Sequence, residues 1–200
     1  MASDALGLSD IGKVIGPDEY DKTQSDDYVR YEDGEEIYFL IMTKSDEYCF
    51  TNLALIHVDG DSAVSSKRSM KRYPYYKHQI SDVVLETAGK IDLDVEIKFN
   101  LGGTPMSIDI ARREVEAVKD LYKALLNIAE VMDENEDILH NAHQSVSQAT
   151  SVLQHVRLSQ GNAKDSYKEV NEYVFDWLES SRDKYVRKDY GEVFEKYINN

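Results

Sequence analysis

From Cys49 to Phe99 the chain runs through short alternating segments separated by turn chemistry, and this stretch restricts the possible folds more than any other. The clearest segment is Ile91 to Leu101. Ile91, Leu93, Val95, Ile97 and Phe99 fall on one face of an extended strand, and Asp92, Asp94, Glu96 and Lys98 on the other, because side chains alternate across a strand. Gly102-Gly103 then turns the chain into Met106 to Ile110. Upstream, Tyr28 to Glu32, Glu36 to Thr43, Glu47 to Thr51, Leu53 to Val58, Ser69 to Tyr76 and Ile80 to Glu86 read as further strands. Asp33-Gly34 and Asp59-Gly60 are turn signals between them. Short strands at this spacing predict an antiparallel sandwich or barrel. No reactive constellation is interleaved with them, so a binding domain is expected rather than an enzyme.

Past residue 105 the chain changes character. From Met106 to Tyr190 the one helix breaker is Gly161. Between Arg112 and Met132, Val115, Val118, Leu121, Tyr122, Leu125, Ile128, Ala129 and Met132 make one apolar stripe, as in a helix that plugs the open end of a barrel. Leu139, Ala142, Val146, Ala149, Leu153 and Val156 then follow a spacing of three and four, a heptad seam. Gly161 ends that helix. Tyr167, Val170, Val174, Trp177 and Ser181 repeat the spacing on a second arm, which predicts an antiparallel helical hairpin. Phe175 and Leu178 widen the apolar face of that arm beyond what two helices can bury, so Val174, Phe175, Trp177 and Leu178 are the expected contacts with another copy of the chain.

Residues 1–27 read as a lead-in, with one short helix through Leu6, Leu8, Ile11, Val14 and Ile15 stopped by Gly16-Pro17, then an acidic loop from Asp18 to Asp27. The formal charge of −15 argues against nucleic acid and anionic lipid as bulk partners. One cysteine excludes an intramolecular disulfide, and Cys49 in an apolar strand is expected to be buried and inert. The N-terminus lacks the pattern of a secretory leader, and the longest apolar run, Ile37 to Met42, is far too short to span a bilayer. A cytoplasmic location is expected.

Several residues together resemble one known group. Phe50-Thr51-Asn52 leading into Leu53-Ala54-Leu55-Ile56, Tyr73-Pro74-Tyr75, Glu86-Thr87-Ala88-Gly89 and Ile91-Asp92-Leu93-Asp94-Val95-Glu96 are similar to the bacterial pleckstrin-homology-like domain family (YvbH-like). The resemblance covers about residues 28–133, and the hairpin and tail over 134–200 look like the oligomerisation extension that some members carry. It implies an α+β chain: a pleckstrin-homology-like two-sheet antiparallel β barrel capped by a C-terminal helix, followed by an α-helical hairpin. It also implies ring-shaped homo-oligomers, a hydrophilic surface where neighbouring protomers meet, and no enzymatic activity.

On that basis the expected function is a non-enzymatic interaction module, its partners itself and a further protein. Glu86, Thr87, Asp92, Asp94 and Glu96 are the expected recognition surface; their plain alternative is the solvated face of a half-buried strand. The competing reading is a peripheral membrane module that takes anionic headgroups through Lys67, Arg68, Lys71, Arg72 and Lys77, interleaved with Tyr73, Tyr75 and Tyr76. No cofactor or metal is expected. Carboxylates two apart on a strand form a line where Ca²⁺ needs six to eight converging oxygens. His140 and His143 are one helical turn apart, with Glu136 and Asp137 a turn away, but no cysteine is near and the next histidine, His155, is about three turns on, so a surface pair is expected rather than a zinc site. Gly102-Gly103-Thr104 is too short for a phosphate loop and precedes a strand.

Overall fold

The computed structural model describes residues 11–60, 68–87, 94–155 and 163–198, with side chains described outside 149–155 and 163–167. Lys67, Asp92, Val156 and Gly161 lie outside the described residues, as do the side chains of Ala149, Leu153 and Tyr167. In chain order the strands are β1 (Lys13–Val14), β2 (Ile37–Met42), β3 (Glu47–Thr51), β4 (Ala54–Gly60), β5 (Arg68–Pro74), β6 (Ile80–Thr87), β7 (Asp94–Leu101) and β8 (Thr104–Ala111). The helices α1 (Val115–His155), α2 (Ala163–Tyr185) and α3 (Gly191–Ile198) follow.

All strand pairs are antiparallel and form two sheets, β1-β2-β3-β4-β5 and β6-β7-β8. The β7–β8 hairpin turns on Gly102 and Gly103, whose φ values of 58° and 83° meet the demand of a two-residue turn for left-handed backbone. A Cβ on Gly102 would stand 2.7 Å from His78 Cδ2, so space as well as conformation selects glycine there. Gly12 joins the sheets: its amide donates to the Asp109 carbonyl at 2.8 Å, and the Ala111 amide donates to its carbonyl at 2.9 Å. A Cβ at Gly12 would meet Ile41 Cγ2 at 2.8 Å.

The inner core lies between the sheets. Phe39, Phe50, Val95, Ile97, Phe99 and Leu101 are all buried, and the Phe50 ring centroid is 6.1 Å from that of Phe99 across the gap. Of the expected stripe of α1, Val118, Leu121, Leu125 and Ile128 are buried completely and Met132 nearly so, while Val115, Tyr122 and Ala129 are partly buried; Ala124, outside the stripe as read, is also fully buried.

The other face of the larger sheet is covered too. Leu40, Cys49 and Ile56 are register partners on that face, and Ile15 and Val29 complete a second core with Tyr20, Ile37, Met42 and Met70 packed against it. The cover is the segment before β2, and the sequence reading of it needs correction. Lys13 and Val14 pair with Met42 and Ile41 as a strand, not as the end of a helix. Leu6 and Leu8 lie outside the described residues. Pro17–Lys22, Asp26–Tyr28 and Tyr31–Asp33 are 3-10 helices, so the expected Tyr28–Glu32 strand does not form. Its apolar content is one buried residue, Val29, while Tyr28 and Tyr31 are exposed and the Tyr31 hydroxyl donates to Asp26. Gly34 at φ 75° then closes the last turn.

α1 is one continuous helix of 41 residues that includes both the barrel stripe and the first arm of the heptad seam. By packing, the chain up to Glu130 together with the segment from Lys188 onward forms one compact unit, and Val131–Arg187 forms the other. The C-terminal segment therefore belongs with the sheets. Phe194 of α3 stacks on Tyr38 of β2 at 5.4 Å, Tyr190 meets the Tyr75 ring edge-on at 5.8 Å, and both residues are buried.

Candidate functional site

The outer face of β6-β7-β8 carries most of the expected recognition residues. Glu86 and Glu96 are direct cross-strand partners, and Asp109 is the partner of Glu96 on the far side. Like charges placed opposite repel. Lys98 relieves this by reaching both: its Nζ is 2.9 Å from Glu86 Oε2 and 2.8 Å from Glu96 Oε2. The Lys98 ammonium, with a further donation from the Ser107 hydroxyl, holds the Glu96 carboxyl below its usual range. Asp94, two residues before Glu96 on β7, stands on the same face and is partly exposed. Lys98 is the one cation in β6, β7 and β8, so the face stays acidic. Thr87 is separated from this set: its register partner is Val95, an inward residue. Val84, opposite Lys98, adds an exposed apolar side chain to the outer face. β6 is irregular here. Its register shifts between Ser81 and Val84, and Asp82 takes φ 52° while its carboxylate accepts from Asn100 Nδ2 at 2.7 Å.

The basic segment does not converge. Lys71 Nζ lies 2.7 Å from Asp59 Oδ2 on one face of β5, and Arg72, the next residue, points to the opposite face. There Arg72 Nη2 donates to Glu35 Oε1 at 2.9 Å, under the N-terminal cover. Lys77 sits over the Tyr76 ring at 5.3 Å. Arg68 begins β5, at the cross-strand position of Gly60.

Glu35 is buried completely. It also accepts from the Thr51 hydroxyl at 2.5 Å and from the Arg30 amide at 2.9 Å. Burial alone would raise its pKa; the Arg72, Thr51 and Arg30 donors outweigh that and lower it. Asn52, the next residue along the Phe50-Thr51-Asn52 motif, ties three segments. Its Oδ1 accepts from the Glu36 amide at 2.9 Å, and its Nδ2 donates to Gly34 O at 3.2 Å and Asp189 Oδ2 at 2.9 Å. Its carbonyl accepts from the Tyr190 amide at 2.9 Å. Thus the motif residues anchor the fold. Nothing in the sequence pattern marked Glu35 as buried, since it stands among Glu32, Asp33 and Glu36.

In the second unit, the seam residues Leu139, Ala142, Val146, Val174 and Trp177 are each only partly covered, and Ser181 is buried. One flank of the seam opens as a groove of about 400 Å3 lined by Ile138, Ala142, Trp177, Ser181, Lys184 and Tyr185, among others. Leu178 is half-buried, whereas Phe175 is 63% exposed and Tyr173 72%. His140 is exposed and lies 2.9 Å from the Gln144 amide nitrogen.

Two antiparallel sheets sharing a core with a long following helix, and a helical excursion with open apolar flanks, define a pleckstrin-homology-like domain with an association element. The chain belongs to the bacterial PH domain family, whose model matches residues 5–129; residues 140–200 match the model of the YvbH-like oligomerisation region. It is 61% identical over 200 residues to the uncharacterized protein YvbH of Bacillus subtilis (strain 168), covering 100% of this chain and 98% of that one. YjqA of the same organism is 30% identical over 94 residues, 46% of this chain and 74% of its own length. A solved PH-domain-containing protein from Exiguobacterium sibiricum 255-15 shares 51% identity at a TM-score of 0.87, covering 95% of this chain and 100% of that one. No described helix is long and apolar enough to cross a membrane.

Proposed function

We propose that this chain is a non-enzymatic interaction module that closes into a cyclic homo-oligomer in the cytoplasm and presents one acidic sheet face per subunit to a protein partner. The observation that carries the reading is the match of residues 140–200 to an oligomerisation region, together with Phe175 left exposed on that region's second helix. Val174, Trp177 and Leu178 supply the remaining apolar contacts. Glu86, Asp94 and Glu96, with Asp109 beside them, form the face offered to the partner. Repetition raises the effective concentration of a weak polar patch, so a ring binds where one copy would not. Cyclic closure limits growth that would otherwise make filaments. The buried ionisable groups support a structural rather than a chemical role. Glu35 is held by Arg72 and Thr51, and Glu47 accepts the Gln24 and Ser25 amides at 3.1 Å and 2.8 Å. Light scattering coupled to size exclusion tests the reading. A constant multiple of the subunit mass across micromolar concentrations is expected; a single-subunit mass throughout overturns it.

A further inference from the structure

Phe175 and Trp177, two residues apart, stand about 200° apart around their helix, at 100° per residue. They therefore cannot belong to one contact patch. Trp177 lines the groove together with Ile138 and Ala142 of α1 and Ser181 and Lys184 of α2. Phe175 lies past the other flank of the seam, beyond the half-buried Leu178. The second unit thus carries an aromatic projection on one side and an apolar opening on the other. The charges match this polarity. Asp176 and Glu179 flank Phe175, one residue and one turn away, while the charged side chain lining the groove is Lys184, lying 5.1 Å over the Tyr185 ring.

We infer that copies of this chain associate head to tail, Phe175 of one inserting into the Trp177 groove of the next, with Asp176 or Glu179 approaching Lys184. This rests on the proposed self-association and specifies its contact. The occupant is a second copy because the projection, the complementary charges and all of the opening except Ile138 lie on the segment matched to an oligomerisation region. A projection and a receptor on opposite flanks cannot satisfy each other about a twofold axis. They generate a directional contact, which makes a ring where the rotation between neighbours closes and a filament where it does not.

Two full-length variants test the inference. Phe175→Glu removes the projection and leaves the groove. Ser180→Arg places a long side chain at the exposed groove rim and leaves the projection. Both positions are exposed, so circular dichroism should match the wild type, as should urea midpoints at concentrations low enough to dissociate it. Each variant alone should lose the hairpin contact, with association at least tenfold weaker by light scattering. An equimolar mixture should regain one contact and form a species of twice the mass of either variant alone, because an intact projection then meets an intact groove once.

Trp177 is the sole tryptophan of the chain and gives a second readout. Its emission should shift to the blue, and acrylamide quenching should fall, as the wild type associates; neither change should occur in Phe175→Glu alone. Loss of assembly in Phe175→Glu but not in Ser180→Arg would mean that Phe175 meets Phe175 across a twofold axis, and would overturn the inference. So would two disabled variants whose mixture gains no mass, or a wild type that assembles without a change at Trp177. The last three outcomes leave the self-association reading standing. A wild type of single-subunit mass defeats both.

Discussion

Replacing Glu35 by alanine should be among the most damaging single changes in the chain. The carboxylate is fully buried and accepts three hydrogen bonds, from Arg72 Nη2, the Thr51 hydroxyl and the Arg30 amide. Its removal strands the Arg72 guanidinium, whose Nε and Nη1 are already buried without a partner among the described residues. Breaking a buried pair from one side costs about 3–5 kcal/mol, because an uncompensated charge stays inside. Domains of this size are stable by about 5–15 kcal/mol in total, so the loss is about a fifth of the stability or more. Glu35→Gln keeps the shape and loses the charge, and should cost about 1.5–3 kcal/mol. The decisive measurement is a double-mutant cycle with Arg72→Met, read by urea unfolding at pH 7. Glu35→Ala with Arg72→Met removes both charges and should be less destabilised than the sum of the singles by about 2 kcal/mol or more. The pH dependence follows from the lowered pKa of Glu35. The group binds its proton less tightly in the fold than in the unfolded chain, where a glutamate titrates near about 4.3. Its contribution is therefore complete above that value and fades as pH falls through the lower folded value. The alanine variant should lack this component of acid sensitivity. Additive singles, or a cost below about 1 kcal/mol for Glu35→Ala, would refute the reasoning.

Phe194→Ala should cost about 3–5 kcal/mol in urea unfolding, since the ring is fully buried against Tyr38 and Tyr75. The same contacts mean that a chain ending at Met132 exposes Tyr75 and unfolds at lower denaturant than the full chain, rather than leaving an intact barrel. Cys49 should not react with a thiol-specific disulfide reagent until the protein unfolds. Burial pushes the thiol pKa far above its usual range, and the side chain has no exposure to solvent; rapid labelling under native conditions would contradict the second core.

The parts legible in the sequence were those with a clean period. Val95, Ile97, Phe99 and Leu101 are all buried, as the alternation of β7 predicts, and Val118, Leu121, Leu125, Ile128 and Met132 of the α1 stripe are buried as a 3.6-residue repeat requires. The cover over the second core has no such period. Its buried residues, Ile15, Thr23, Ser25, Val29 and Glu35, all lie between or beside 3-10 helices of three to six residues that themselves bury nothing, so no helical period could show them. Tyr28-Val29-Arg30-Tyr31 mimics a strand because its residues favour extended backbone, yet one buried valine is not enough to anchor it there. A signal did exist one element later. Ile37 to Met42 and Ala54 to Ile56 are apolar without alternation, as expected of strands covered on both faces. The basic segment misled for a related reason. Lys71 and Arg72 are neighbours in sequence but face apart in β5, and the counter-charge of Arg72 lies 37 residues away at Glu35.

Because Tyr190 and Phe194 are packed among the strands, the polypeptide departs at Glu130 and comes home at Lys188. Val131–Arg187 is tethered at both feet, like a handle rather than a flag. Severing the backbone once within the handle would leave the distal fragment bound through its buried aromatic rings, and its release would require the sheet itself to open.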